Sequence, residues 1–66
     1  MTFAEAKNFI MPWGQHAGRT LDQIAVSDLG YLDWLRGERE GERQPIDKAL
    51  DAYLDDPSIQ KELEDA

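Results

Sequence analysis

The chain of 66 residues has no cysteine and only one histidine, His16. The lack of cysteine excludes disulfide bonds. With two methionines as the only other soft ligands, the sequence predicts neither a metal site nor a cofactor. No apolar run approaches the roughly 18 residues of a membrane-spanning helix, and the amino terminus lacks the basic and apolar regions of a signal peptide. We therefore expect a cytoplasmic protein that does not enter a membrane.

The hydrophobic core is expected to be small. A domain of this length buries only about 60% of the surface of its unfolded chain, so residues 1–66 are predicted to form one domain of marginal stability. Room remains for an apolar patch that a partner or a second copy would cover, so self-association is left open. The predicted core residues are Phe3, Phe9, Ile10, Trp13, Leu21, Ile24, Val26, Leu29, Tyr31, Leu32, Trp34, Leu35, Ile46, Leu50, Tyr53, Leu54, Ile59 and Leu63.

Acidic residues outnumber basic ones by 14 to 7, which gives a net charge of −7. Most of this charge lies in residues 37–66, where four basic side chains stand against ten acidic ones. Between Ala6 and Leu21 there is no acidic residue. Because phosphate contact needs clustered Lys and Arg, the composition disfavours nucleic-acid binding by the whole domain and leaves a small basic face on an acidic body.

Capping patterns and apolar spacing predict several helices. Ile46, Leu50 and Tyr53 belong to the clearest amphipathic pattern, with apolar residues three and four apart. Gly37 is predicted to end the preceding helix as its C′ residue. The first predicted helices lie at about 3–8 and 21–26, both after capping boxes, and at 28–36 after Ser27 as N-cap. A further helix is predicted from Pro45 to a stop at Asp56-Pro57, and a last one from Pro57 onward. Residues 37–44 are predicted to be a polar loop, and residues 45–66 an acidic helical tail.

A minimal hairpin is predicted between the first two helices. Pro12 lacks a backbone donor and is typical of an edge strand, and the stretch from Gly14 to Gly18 would reverse the chain. The two strands are predicted at about 9–13 and 19–21. The expected fold class is therefore α+β but mostly α, with this hairpin packed against three to four short helices.

The turn resembles a phosphate-binding loop only weakly. Such a loop has four residues between its glycines and then Lys, whereas here three residues precede Gly18 and Arg19 follows it. We interpret the turn as structural, with glycines that permit positive φ. His16 has no accompanying nucleophile, so it is expected to be an exposed loop residue or a partner contact, and the chain is predicted not to be an enzyme.

Asp47, Asp51 and Asp55 recur every four residues and would line one polar face of the helix that is predicted to begin at Pro45. They lack the alternating spacing and central glycine of a calcium loop. Two interpretations remain open: a solvated face, or an acidic docking face for a basic partner.

The aromatic residues Trp13 and Trp34 are both expected mainly in the core. Aromatic side chains beside basic ones are also typical of surfaces that stack the bases of single strands. The candidate face for nucleic acid or a partner consists of Lys7, Trp13, Gln15, His16 and Arg19.

The string Met11-Pro12-Trp13-Gly14 through Gly18-Arg19-Thr20-Leu21, followed by Tyr31-Leu32-Asp33-Trp34-Leu35, resembles the domain at the carboxyl terminus of exodeoxyribonuclease X-like proteins. It also resembles a related small family named for quorum-sensing-regulated virulence factors. The resemblance covers residues 9–36, and relatives carry lysines where this chain has Gln15, Ala17 and Arg19. The motif positions with a structural role are Pro12, Gly14, Gly18, Leu21, Tyr31 and Trp34.

The resemblance implies a non-catalytic module of bacterial or phage proteins of DNA metabolism. Such a module would contact single-stranded nucleic acid, or a nucleic-acid-processing protein, through the face of residues 7–19. The alternative is a regulatory protein-interaction module, also from a phage or bacterium, that sets its acidic carboxyl-terminal helices against a basic partner.

Overall fold

A computed structural model describes residues 1–65 of the chain. Its described part contains four helices: α1 (Phe3–Lys7), α2 (Leu21–Glu38), α3 (Pro45–Leu54) and α4 (Pro57–Asp65). None of these helices is both long and apolar enough to cross a membrane. The mostly helical character is confirmed.

Two capping boxes start the first two helices, as predicted. The backbone N–H of Glu5 donates to the hydroxyl of Thr2 at 3.1 Å, and the N–H of Thr2 donates to the Glu5 carboxylate at 3.1 Å. At the start of α2, Gln23 and Thr20 exchange the same two bonds at 3.1 and 2.9 Å. Each box satisfies two backbone donors that the first turn leaves free.

α2 consists of two helical segments that meet at a kink, in agreement with the two successive helices that were predicted. The backbone of Asp28 leaves helical geometry, with φ of −156° and ψ of 60°, at the start of the segment predicted at 28–36. Ser27 is not the N-cap that we expected, because its hydroxyl donates backwards to the carbonyl of Ile24 at 3.4 Å.

The end of α2 also differs from the prediction. Gly37 lies inside the helix, because the N–H of Arg39 still donates to the carbonyl of Leu35 at 3.0 Å. The glycine with positive φ in this region is Gly41, at +93°. The polar loop predicted at 37–44 is therefore shorter than expected.

The structure does not show the two predicted strands of the hairpin at 9–13 and 19–21. Residues 1–65 contain only an isolated antiparallel bridge between Ile10 and Thr20, supported by a bond from the N–H of Met11 to the carbonyl of Arg19 at 2.8 Å. Two further backbone bonds flank the bridge, from the N–H of Leu21 to the carbonyl of Phe9 at 3.0 Å and from the N–H of Gly18 to the carbonyl of Met11 at 2.9 Å. Regular strands do not form around it, since Pro12 has no N–H to donate and Thr20 is already the N-cap of α2.

The core lies between α3 and the two helices before it. α3 packs against both α1 and α2, and the Phe3 ring stacks on Tyr53 with centroids 5.4 Å apart. The buried residues are Ala6, Met11, Leu21, Ile24, Leu32, Leu35, Ile46, Ala49, Leu50, Tyr53, Leu54 and Ile59.

Four residues predicted in the core lie at the surface. Ile10, Val26, Trp13 and Trp34 are exposed, Val26 and Trp34 by 87% and 58%, whereas Met11 is buried although the sequence did not indicate it. Side chains alternate between the two faces of an extended segment, so burying Met11 turns its neighbour Ile10 outward.

Candidate binding groove

An open groove of about 450 Å³ separates the segment before the turn from the start of α3. The side chains around it are largely apolar, and Trp13 forms an exposed part of its wall. We call it the Trp13 groove, lined by Phe9, Pro12, Trp13, Arg39, Gln44, Pro45 and Ile46. Exposed aromatic side chains in a concave apolar site are typical anchors for a ligand.

Arg39 connects the groove to the helices behind it. Its guanidinium carbon lies 5.1 Å from the centroid of the Trp13 ring, within the range of a cation–π contact. The same guanidinium donates to both carboxylate oxygens of Asp47, at 2.7 and 3.0 Å. One side chain thus holds the end of α2, the start of α3 and one wall of the groove in a fixed arrangement.

Asp47 does not lie on a solvated face, because it is buried in its ion pair with Arg39, which we call the clamp. It is 8% exposed, and its carboxylate also accepts the backbone N–H of Gln44 at 2.9 Å. The hydrogen bonds from the Arg39 guanidinium hold the pKa of Asp47 below its ordinary value, and the Gln44 N–H adds to this effect. At neutral pH both the Arg39 guanidinium and the Asp47 carboxylate are therefore ionised.

The three acidic residues that were predicted to share one face, Asp47, Asp51 and Asp55, have different surroundings in the structure. Asp55 accepts a bond from Arg36 at 2.7 Å, and Asp47 pairs with Arg39. Asp51 remains exposed with no cation within 4 Å among residues 1–65. In the same described residues, no group of three acidic or imidazole side chains could hold a metal ion.

The turn is joined to the kink of α2 through His16. Its Nε2 lies 3.3 Å from a carboxylate oxygen of Asp28, and its ring meets Tyr31 edge-on with centroids 4.7 Å apart. The side chain is only 14% exposed, so the expectation of an exposed loop histidine is wrong. Tyr31 in turn contacts Trp34 with ring centroids 5.9 Å apart.

Gly14 and Gly18 both have φ of +88°, but only Gly14 faces a neighbour closely. A Cβ added at Gly14 would lie 3.3 Å from the Tyr31 hydroxyl, whereas one at Gly18 would meet nothing within 4 Å. We expect Gly18→Ala to lower stability by about 1 kcal/mol through backbone strain alone. Gly14→Ala should cost more and also displace Tyr31.

Urea unfolding would give the two stabilities, and NMR would give the chemical shifts of the Tyr31 and His16 rings. Ring shifts that move in Gly14→Ala and not in Gly18→Ala are the expected pattern. Equal costs with unmoved rings in both variants would show that the Gly14 contact is unimportant.

The predicted contact residues have different neighbours in the structure. Gln15 lies beside His16, with side-chain nitrogens 3.3 Å apart, and Trp13 contacts Arg39 instead of a member of the set. Lys7 lies on α1 with its Nζ 5.7 Å from the Phe3 ring centroid.

Comparison with known proteins gives no match, whether against family models, curated proteins or solved structures.

Proposed function

We propose that the chain is a small non-catalytic binding module that holds a macromolecular partner in the Trp13 groove. The observation that carries this proposal is the 41% exposure of Trp13 at an open, largely apolar groove. Trp34 is more exposed, at 58%, but it does not line the groove. The combination of an exposed tryptophan with a concave apolar surface therefore distinguishes Trp13.

The groove belongs in part to the face of residues 7–19, since Phe9, Pro12 and Trp13 line it. An association with nucleic-acid metabolism rests on the resemblance of residues 9–36 alone. The partner that we propose is accordingly a protein of that metabolism. An acidic docking face is a weaker candidate, because Asp47 and Asp55 already bind arginines.

Direct contact with single-stranded nucleic acid is the second candidate. Arg19 is exposed and has no carboxylate within 4 Å among residues 1–65, and it lies in the segment without acids. Stacking of bases on Trp13 would accompany its contact with phosphate. The net charge of −7 opposes this binding, so it should appear only at low salt.

Selection from a random peptide library on the immobilised chain tests the first candidate. We expect enrichment on the wild type, loss of at least about tenfold in affinity for Trp13→Ala, which corresponds to about 1.4 kcal/mol, and no change for Trp34→Ala. Trp34 is the matched control because it is the other exposed tryptophan and does not line the groove. If the peptides enriched on the wild type bind the Trp13→Ala variant equally well, the proposal is wrong.

Circular dichroism must show that both variants keep the helical content of the wild type. In parallel, Trp34→Phe leaves Trp13 as the single tryptophan, so its fluorescence reports an oligothymidylate titration. No quenching at low salt would exclude the second candidate.

A further inference from the structure

We infer that the Trp13 groove binds an extended, proline-containing segment with a basic residue at one end. This inference rests on the proposed function, since it names the ligand of the same groove. Three features of the surface carry it: the chemistry of the groove walls, the donors on its lining residues, and an acidic cleft beyond Arg39.

The walls of the groove match a polyproline II ligand. Pro12, Trp13 and Pro45 all line the groove, so rings contribute much of its surface. Proline-rich segments dock in aromatic-lined grooves of this kind, because their extended helix is already ordered before binding and loses little entropy.

Two residues that line the groove carry hydrogen-bond donors that such a ligand needs. The indole N–H of Trp13 and the side-chain amide of Gln44 both belong to exposed residues of the groove. An extended proline segment has free backbone carbonyls and few N–H groups. Donors on the lining residues therefore suit it better than acceptors would.

The charge of the adjoining cleft selects a basic residue. A second cleft of about 180 Å³ shares Arg39 with the Trp13 groove. Arg36 and Arg39 line this cleft, but each is already paired with a carboxylate at 2.7 Å. Three further acids line it, are exposed, and have no cation within 4 Å among residues 1–65: Glu40, Glu42 and Asp51.

The three unpaired acids make the cleft complementary to Lys or Arg. A ligand that occupies the groove and extends past Arg39 brings its next side chain to these carboxylates. They would repel the phosphates of a nucleic acid, and a second copy of the chain would bring its own net charge of −7. The observations thus favour a basic, proline-containing peptide.

Fluorescence titration of the Trp34→Phe protein with synthetic peptides tests the inference. The probe is a short proline-rich peptide that ends in two arginines. Its controls carry glutamates in place of the arginines, or alanines in place of the prolines. We expect each control to bind at least about tenfold more weakly than the probe. Added salt should weaken the two peptides that carry arginines and should not weaken the glutamate peptide.

Charge reversal on the protein gives a matched test. Glu40→Lys combined with Asp51→Lys should weaken the arginine peptide and strengthen the glutamate peptide, because the cleft then has the opposite charge. Lys61→Glu changes a charge on α4, outside both clefts, and should leave both affinities unchanged. NMR shifts should be confined to Trp13, Arg39, Gln44 and the cleft.

Several results would overturn the inference. The inference is wrong if the alanine peptide or the glutamate peptide binds with the same affinity as the arginine peptide. It is also wrong if oligothymidylate displaces the arginine peptide from the groove. If the random library instead enriches peptides without proline, and Trp13→Ala still abolishes their binding, the groove remains the binding site and only the ligand class is wrong.

Discussion

Met11→Ala is expected to lower the free energy of unfolding by about 2 to 5 kcal/mol, the range for truncating a fully buried methionine. Met11 is 1% exposed and fixes the segment before the turn through a backbone bond to Arg19 at 2.8 Å. Domains this small have little stability in reserve. We therefore expect the variant to be largely unfolded at ordinary temperature, as measured by circular dichroism and urea titration.

Ile10→Ala is the matched control for this prediction. Ile10 is the preceding residue, of similar size, but it is 57% exposed. Its truncation should cost well under half as much as that of Met11. If both variants lost the same stability, the alternation of the two side chains in the structure would be wrong.

The protein should lose stability as the pH rises above about 10, the ordinary pKa of tyrosine. Tyr53 is 1% exposed, and its hydroxyl donates to Asp22 at 3.1 Å. Burial raises the pKa of Tyr53, and the hydrogen bond to Asp22 raises it further. The folded state therefore holds the proton more tightly than the unfolded state does.

The sign of this effect follows from linkage. A raised folded-state pKa contributes stability that is fully present below the unfolded pKa and is lost as the pH rises. The loss contributed by Tyr53 can reach about 1.4 kcal/mol for each pH unit. Urea unfolding at a series of alkaline pH values measures the slope.

Tyr53→Phe separates the contribution of Tyr53 to the pH dependence of stability from the contributions of the other titrating groups. The variant keeps the ring against Phe3 and loses only the hydroxyl, so it should be less stable at neutral pH by about 1 kcal/mol. Its alkaline slope should be shallower than that of the wild type. Identical slopes in the two proteins would mean that Tyr53 ionises as easily in the folded state as in the unfolded one.

Local chemistry made some parts of this fold predictable. The pairs Thr2–Glu5 and Thr20–Gln23 are three residues apart and start helices as expected, since a capping box involves only one turn of chain. The helix at 45–54 was also predicted, because its apolar residues repeat at helical spacing. These signals are contained in short windows of sequence.

Other features depend on contacts between distant residues. Ile10 and Met11 are equally plausible core residues by composition, and only packing decides which one turns inward. Gly37 looks like a helix end, yet the bond from Arg39 carries the helix past it. In both cases tertiary context overrides a weak local preference.

No pattern in the sequence predicted the Trp13 groove. Trp13 and Arg39 are far apart in the chain, and Arg39 stands in a run of polar residues typical of a solvated loop. Asp47 likewise looked like one of three exposed acids. The clamp between them appears only when α2 and α3 are packed together, which no local pattern could indicate.

The walls of the Trp13 groove come from two segments that are far apart in the chain, residues 9–13 and 44–46, and Arg39 bridges them. A ligand seated there would bind only the folded state and so shift the folding equilibrium toward it. At a hundredfold excess over its dissociation constant, such a ligand adds about 2.7 kcal/mol, a large fraction of what a domain this small possesses. The lifetime of the protein in a cell, under the proteases that clear unfolded chains, would then rise and fall with the abundance of its partner.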